Sequence, residues 1–363
     1  MGVTLKPRPA KNIASRRRYF LKSARLYLSD GTYYEGQSPS WQSQDFSGEV
    51  VFNTGMTGYV ESLTDPSYAG QILVFTYPLI GNYGVHGGWE SDKIQVAGVV
   101  VSELVQNWSH NLSNLSLLDW LRHQQVPIIT DLDTRALTKH IRLHGSMPGL
   151  ITQKAKRPSK IEVNIPFVSV TRPIIYNRQH TKTIILVDCG TKENIVRSLK
   201  QLPIKIKRVP YDYDYTLEDF DGLLLSNGPG DPADYHQTIQ ILQKAMKQNR
   251  PIFGICLGSQ IMGLAAGAKT YKLLFGHRGH NQPCLDETSG RAYITSQNHG
   301  YAVDEKTLPG SWQVSFRNLN DGSVEGIEHK SQPFFAAQFH PEASPGPTDT
   351  NWLFDKFRTY LQC

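Results

Sequence analysis

The sequence predicts an α/β protein with two domains: a β-rich mixed α/β domain followed by a doubly wound α/β domain. The chain has 363 residues, which exceeds the usual size of one domain. Strand and helix patterns alternate from residue 183 onward, as they do in parallel sheets covered by helices. Between the two halves, prolines and lysines interrupt any regular pattern. We therefore expect a basic arm at 1–18, a first domain at 19–153, a linker at 154–182 and a second domain at 183–363.

In the first domain, turn residues and apolar runs predict a hairpin, three further strands and two helices. In chain order they are a hairpin at Arg25–Tyr34 turned by Ser29-Asp30-Gly31, strands at Glu49–Phe52, Gln71–Phe75 and Ile94–Val101, and helices at Asn114–His123 and Thr134–Leu143.

In the second domain, the longest helix carries apolar residues at the spacing i, i+3, i+7 (Ile239, Leu242, Met246), so one of its faces is expected to pack on a sheet. The predicted elements are strand Thr183–Val187, helix Glu193–Leu202, strands Ile204–Val209 and Gly222–Leu225, helix Tyr235–Gln248, strand Pro251–Ile255 and helix Leu257–Ala268. Strands at Arg291–Ser296 and Phe334–Phe339, with a hairpin through Asn320-Asp321-Gly322, close the domain.

Composition and charge exclude several function classes. The hydrophobic fraction of 39% is that of an ordinary soluble globular protein, and no apolar run approaches the roughly 18 residues of a membrane helix. The net charge is +6, but residues 1–29 hold eight basic residues and no acid precedes Asp30. Without these eight charges the balance falls to −2, which argues against a nucleic-acid surface on the folded body. The arm itself fits either an organellar transit sequence or a disordered tail.

Cysteine usage indicates a reducing compartment rather than secretion. Four cysteines in a chain of this length do not form a disulfide framework, and no two have the spacing of a metal site. We therefore expect no bound metal in this chain.

Cys256 has the sequence context of an activated nucleophile. It follows the apolar strand Pro251–Ile255, and glycines stand two residues before and two residues after it, at Gly254 and Gly258. A sharp turn from a strand into a helix crowds the backbone, and glycines on both sides relieve the crowding. The start of the following helix favours an anion, so the reactive thiolate is favoured there. The alternative is a buried structural cysteine.

His340 and Glu342 supply the other groups that a cysteine nucleophile needs. In an extended chain residues i and i+2 point to the same side, so Glu342 can orient the ring of His340 while Pro341 stiffens the link. The strand end places this pair at the edge of the sheet where we expect Cys256.

The loop Ser226–Pro232 follows a buried strand and contains Gly228-Pro229-Gly230. Open α/β sheets bind ligands at this edge. By itself the loop is a good turn, but beside Cys256 its backbone N–H groups can form half of an oxyanion hole, with the N–H of Leu257 as the other half.

The loop, the cysteine turn and the His-Pro-Glu segment, in this order, resemble the class I glutamine amidotransferase domain, which has a flavodoxin-like fold. The resemblance covers residues 183–363. In the first half, the segments 48–59, 64–68, 81–84 and 131–137 resemble the N-terminal domain of the carbamoyl-phosphate synthase small chain. In the second half, the segments 296–301 and 341–347 show the same resemblance.

This resemblance implies hydrolysis of L-glutamine to glutamate and ammonia through a thioester, with Cys256 as nucleophile, His340 as proton carrier and Glu342 holding His340. The residues implied to bind glutamine are Ser67, Gly228, Gly230, Leu257, Gln260, Asn298, Gly300 and Tyr301. The chain departs from the family at Ser259 and Gln282, where histidine is common. Neither position belongs to the triad, so these departures bear on glutamine affinity or on coupling to a partner rather than on the reaction.

The resemblance also implies a partner. The sequence has no phosphate-binding loop of the Gly-x-x-x-x-Gly-Lys-Ser/Thr type, so no cofactor is expected in this chain, and ATP and Mg²⁺ are expected in a separate carbamoyl-phosphate synthase large chain. That chain would use the ammonia to make carbamoyl phosphate for arginine and pyrimidine synthesis, in a heterodimer or higher oligomer located in a chloroplast stroma or a bacterial-type cytoplasm. Three alternatives stay open: the amidotransferase of another synthase such as that for anthranilate or guanylate, a non-catalytic assembly subunit, and a cysteine peptidase or γ-glutamyl hydrolase.

Overall fold

The computed structural model describes residues 21–155 and 160–363, so the predicted basic arm at 1–18 lies outside the described residues. The first part contains β1 Leu21–Leu28, β2 Tyr33–Pro39, β3 Phe46–Asn53, α1 Tyr59–Thr64, β4 Gln71–Phe75, β5 Leu79–Ile80, β6 Gly98–Val100, β7 Glu103–Leu104, α2 Leu117–His123, β8 Ile128–Ile129, α3 Thr134–His144 and β9 Met147–Thr152. The second contains β10 Ile174–Tyr176, β11 Thr183–Asp188, α4 Glu193–Lys200, β12 Lys205–Pro210, β13 Gly222–Leu225, α5 His236–Met246, β14 Ile252–Ile255, α6 Leu257–Ala266, β15 Thr270–Asp286, β16 Ala292–Val303, β17 Trp312–Asn318, β18 Val324–His329, β19 Phe334–Ala337 and α7 Trp352–Leu361.

The first domain is built on a mixed sheet with the strand order β2-β1-β9-β3-β4-β6-β8. Successive residues of β3 point to opposite faces: Val51 joins the core that α2 covers, and Val50 joins the core that α3 covers. This sheet is therefore buried on both sides.

The second domain is a larger sheet with the order β10-β12-β11-β13-β14-β19-β18-β17-β15-β16. The strands β12, β11, β13, β14 and β19 are parallel to one another. One face packs against α5 and α6, and the other packs against α4 and α7, so that Leu223 and Leu224 of the same strand lie in different cores. The predicted doubly wound α/β arrangement is confirmed.

The strand prediction at Ile94–Val101 was too long. Only Gly98–Val100 forms a strand, because the preceding backbone bonds to other groups: Ile94 N–H donates to a side chain oxygen of Gln124, and Gln95 N–H donates to the carbonyl of Leu63. The prediction also omitted β15 and α7, and the stretch that it assigned to a linker contains β10, which pairs with β12. Among residues 21–155 and 160–363, no helix combines the length and apolar character needed to cross a membrane.

Candidate active site

Cys256 occupies a strained turn between β14 and α6. Its φ of 54° and ψ of −105° lie in a region that residues with a side chain rarely adopt. The flanking glycines are required by close contacts: a Cβ at Gly254 would lie 2.7 Å from the carbonyl oxygen of Gly258, and a Cβ at Gly258 would lie 2.3 Å from that of Leu225. The crowded turn that the sequence predicted is therefore present.

The Cys256 sulfur faces a cavity of about 330 Å³ at the carboxyl edge of the parallel strands. The side chain is 2% exposed, and Sγ lies 3.5 Å from the carbonyl oxygen of Asn298, to which the thiol donates. The backbone N–H of Cys256 donates to the carbonyl of Ala337 at 2.8 Å, which ties the turn to the neighbouring strand β19. The nucleophile candidate is thus held rigidly at the wall of the cavity.

His340 lies just beyond β19 and is bonded to Glu342, as the spacing predicted. Its Nδ1–H donates to Glu342 Oε1 at 2.6 Å, and both side chains are buried. Burial works against a charged ring, but the carboxylate of Glu342 and the nearby Cys256 sulfur outweigh it and raise the pKa of His340 to about 10. Nε2 forms no hydrogen bond with the described protein atoms, so it is the nitrogen available to exchange a proton with Cys256.

Lys192 is a buried residue of this site that the sequence analysis did not identify. It precedes α4, and its ammonium lies 3.0 Å from Glu342 Oε1 and donates to the carbonyl oxygen of Ala343 at 2.6 Å. Burial alone would raise the pKa of Glu342, but Lys192 and His340 lower it to about 2. The carboxylate is therefore kept charged while it orients the imidazole. A lysine just after the strand β11, at the same sheet edge as the loop 226–232, was the available signal.

Eight of the predicted site residues line the cavity. They are Ser67, Gly228, Gly230, Cys256, Gln260, Asn298, Gly300 and Tyr301. The other three, Leu257, His340 and Glu342, are buried behind its wall. The structure thus brings the predicted residues into one region.

The first domain contributes Ser67 to this lining, and Asp65 supports it from behind. Asp65 accepts hydrogen bonds from the Ser67 backbone N–H at 2.9 Å and from the Asn298 side chain at 2.9 Å. Asn227 donates to the Ser67 hydroxyl at 2.8 Å. The Asn298 side chain is consequently held by the first domain, while its carbonyl faces the thiol. Asp65 was also missed from the sequence, since an Asp before Pro is a common turn residue.

The side chain of Gln260 is held inside the protein by two bonds. Nε2 donates to the carbonyl of Tyr301 at 2.8 Å and to Gln338 Oε1 at 3.1 Å. It therefore supports the position of Tyr301.

The loop 226–232 approaches the backbone of Cys189 closely, which explains the glycine at 228: a Cβ there would lie 2.2 Å from the carbonyl oxygen of Cys189.

The two departures from the family lie outside the cavity lining. Ser259 is buried in the first turn of α6, and Gln282 accepts a hydrogen bond from Asn320 at 3.0 Å.

The connecting segment also reaches the cavity. Val163 and Ile165 line it, and Ile165 Cδ1 is 3.4 Å from the position that a Cβ of Gly230 would take. This part of the chain was predicted only as a linker, because its prolines mask any contact pattern.

Among the described residues, His277, His299 and Glu325 have side chain atoms close enough together to hold a metal ion. Each ring also makes hydrogen bonds within the protein: His277 contacts Asp321 at 2.9 Å and Glu325 at 3.2 Å, and His299 contacts the carbonyl of Tyr301 at 2.9 Å. Burial opposes the charged form of His277, but the two carboxylates raise its pKa to about 9. These contacts form a polar support beneath the strand β16, which lines the cavity.

Comparison with known families agrees with this arrangement in both halves. Residues 26–151 match the family Carbamoyl-phosphate synthase small chain, CPSase domain, and residues 185–360 match the family Glutamine amidotransferase class-I. The first match contains the segments 48–59, 64–68, 81–84 and 131–137, and the second contains Cys256, His340 and Glu342.

Three curated relatives show how the chain compares in length. The "Carbamoyl phosphate synthase arginine-specific small chain" of Chaetomium globosum is 44% identical over 363 residues, covering 93% of this chain and 78% of that protein. The "Multifunctional protein CAD" of Squalus acanthias is 46% identical, covering 94% of this chain and 16% of that protein. The rat "Carbamoyl-phosphate synthase [ammonia], mitochondrial" is 44% identical, covering 94% of this chain and 24% of that protein. The chain thus spans only a small part of the multifunctional relatives but most of the arginine-specific small chain. It belongs to the carbamoyl-phosphate synthase small-chain family.

Proposed function

We propose that this chain is the glutamine-hydrolysing component of a carbamoyl-phosphate synthase. The observation that carries the proposal is the arrangement of Cys256 at a strained turn, beside a buried His340 that is bonded to Glu342. A cysteine, an imidazole and an orienting carboxylate are the groups that amide hydrolysis through a thioester requires. The cavity in front of the sulfur, at about 330 Å³, is in the size range of small-molecule sites.

In the proposed reaction, the Cys256 thiolate attacks the γ-carboxamide carbon of glutamine. The negative charge that forms on the amide oxygen is stabilised by backbone N–H groups of the loop 226–232 and by the N–H of Leu257. Leu257 is the first residue of α6, so its N–H has no acceptor within the helix. His340 in its imidazolium form protonates the leaving nitrogen, so that ammonia departs and a γ-glutamyl thioester remains. Water then gives a proton to His340 and attacks the thioester, which releases glutamate and restores the thiolate.

Glutamine binding is assigned to the lining residues. Ser67, Gly228, Gly230, Gln260, Asn298, Gly300 and Tyr301 surround the space in front of the sulfur, directly or through their backbone. The lining contains donors and acceptors of hydrogen bonds, which suits a substrate with an amide, a carboxylate and an ammonium group.

The ammonia is passed to a large chain that uses ATP with Mg²⁺ and bicarbonate to make carbamoyl phosphate, which serves arginine and pyrimidine synthesis. This partner is proposed from the family, whose small chain has its own match in residues 26–151. The same match argues against the alternative of an anthranilate or guanylate amidotransferase. Compartment remains a prediction from the sequence: a chloroplast stroma or a bacterial-type cytoplasm.

The second candidate, a non-catalytic assembly subunit, is raised by the rat relative, whose name specifies ammonia. In the present chain, the strained Cys256 and the buried pair of charges at His340 and Glu342 argue for catalysis, since an assembly role would not require them.

The test is Cys256→Ser in the assembled enzyme, with Cys363→Ser as the matched control, because Cys363 is exposed and does not line the cavity. Glutamine-dependent synthesis should fall at least about 10³-fold in the first variant, while synthesis from added ammonium persists. The control should keep both activities. Glutamine-driven turnover that survives in Cys256→Ser would contradict the assignment of the nucleophile.

A further inference from the structure

The cavity contains charged side chains that the proposed reaction does not use. Its lining includes the carboxylates of Glu49, Asp231 and Asp234 and the cations Lys272 and Arg278. Glutamine enters as a zwitterion, so a buried site must compensate both of its charges. The question is which of the cations is available to the α-carboxylate.

Lys272 already has an ion-pair partner. Its ammonium lies 2.6 Å from Glu49 Oε1, and its side chain is 47% exposed, so water screens what remains of its charge.

Arg278 differs from Lys272 in both respects. It is 4% exposed, and none of the ion pairs formed within residues 21–155 and 160–363 includes its guanidinium. Burial works against the charge of Glu49, but Arg278 and Lys272 together lower the pKa of that carboxyl, so Arg278 shares Glu49 with Lys272. Nη1 donates to the carbonyl of Phe275 at 2.8 Å, while Nε is buried with no partner among the described protein atoms. A buried guanidinium with unused donors is costly unless an anion binds to it.

The guanidinium of Arg278 also lies where substrate is expected. A Cβ on Gly300, one of the predicted glutamine-binding residues, would lie 3.4 Å from Arg278 Nη2. Burial lowers the pKa of Arg278, and the charge of Glu49 compensates for this only in part. Arg278 and Cys256 line the same cavity. Against burial, Glu342 and the Cys256 sulfur raise the pKa of His340, so His340 is the cation that faces the nucleophile. The substrate carboxylate is the anion that remains without a cation.

We propose that Arg278 binds the α-carboxylate of glutamine and thereby selects substrates that carry one. The inference rests on the proposed glutaminase function. A guanidinium can hold a carboxylate through two parallel hydrogen bonds, which fixes the orientation of the substrate as well as its charge.

The experiment compares L-glutamine with L-glutaminamide, in which a neutral amide replaces the α-carboxylate, as substrates of the assembled wild-type enzyme and of Arg278→Gln and Arg278→Lys. The wild-type enzyme should prefer L-glutamine by at least about 30-fold in kcat/KM, the lower end of the cost of unpairing a buried charge. In Arg278→Gln that preference should fall below about threefold, mainly through KM for L-glutamine, while kcat/KM for L-glutaminamide changes little. Arg278→Lys should retain part of the preference, because it keeps the charge but not the planar pair of donors.

Equal losses for both substrates in Arg278→Gln, or no preference in the wild-type enzyme, would overturn the proposal. The rate at which neutral iodoacetamide alkylates Cys256 should be the same in Arg278→Gln and wild type, and a large decrease would instead assign Arg278 to the thiolate. Calorimetric binding of L-glutamine and L-glutaminamide to Cys256→Ser separates this inference from the proposed function. A preference for L-glutamine that Arg278→Gln removes supports the inference even when no turnover is found.

Discussion

Replacing Lys192 with methionine removes the only cation, within the described residues, that forms an ion pair with the Glu342 carboxylate apart from His340. The two charges are 3.0 Å apart, and at an effective dielectric constant of about 20 their attraction amounts to about 5 kcal/mol. Both side chains are at most 2% exposed, so solvent does not screen the pair. Breaking a buried pair by removing one partner typically costs about 3–5 kcal/mol, and we expect a loss of that size in the free energy of unfolding.

The assay is urea unfolding of wild type, Lys192→Met, Glu342→Gln and the double variant, each measured from pH 3 to 8. The pKa of Glu342 is lowered, so its charged form stabilises the fold above its ordinary pKa of 4.5, and that stabilisation disappears as the pH falls through about 2. Without Lys192 the carboxyl takes up a proton at higher pH, so acid unfolding of Lys192→Met should begin at higher pH than that of wild type.

The double variant is the matched control, because it removes both members of the Lys192–Glu342 ion pair. It should be more stable than Lys192→Met, with a coupling free energy of at least about 2 kcal/mol. A loss below about 1 kcal/mol in Lys192→Met, or additive losses in the double variant, would refute the reasoning that this ion pair holds Glu342.

Two further predictions concern the turn and the polar support beneath the cavity. Gly258→Ala should abolish glutaminase activity and lower the thermal midpoint of unfolding by several degrees, because its Cβ would lie 2.3 Å from a carbonyl oxygen. Gly310→Ala is the control and should change neither quantity, because a Cβ at Gly310 meets nothing within 4 Å. Equal effects of the two substitutions would contradict the steric argument. Burial disfavours the charged form of His277, but Asp321 and Glu325 raise its pKa to about 9. The proton on His277 therefore stabilises the fold fully below pH 6.5, and this contribution, at most about 3 kcal/mol, is lost as the pH rises through 9. In urea unfolding, His277→Asn should therefore show a flatter dependence of stability on pH between 6.5 and 9 than wild type, and identical slopes would rule out this titration.

The positions of Cys256 and His340 could be predicted because each stands next to a strong local signal. The strand, the two glycines and the helix start are contiguous in the chain, and the parallel topology brings strand ends to one edge of the sheet. The structure places these residues together: beside Glu342, the Cys256 sulfur also contributes to the raised pKa of His340.

The supporting residues could not be predicted, since their roles depend on contacts between distant parts of the chain. Asp65 binds Asn298 across a separation of 233 residues, and nothing near either residue indicates the pairing. Arg278 lies on β15, whose pairing with β16 is interrupted by shifts of register, so the alternating pattern of a strand is lost there. A register that changes along the strand hides which side chains face the cavity.

The cavity wall draws on three parts of the chain: the first domain supplies Ser67, whose backbone N–H Asp65 binds, the connecting segment supplies Ile165, and the second domain supplies Cys256. Neither domain therefore contains a complete binding site by itself. A lineage that exchanged its first domain would have to carry over, or reinvent, the carboxylate that holds Asn298 before the second domain could bind the same substrate in the same way.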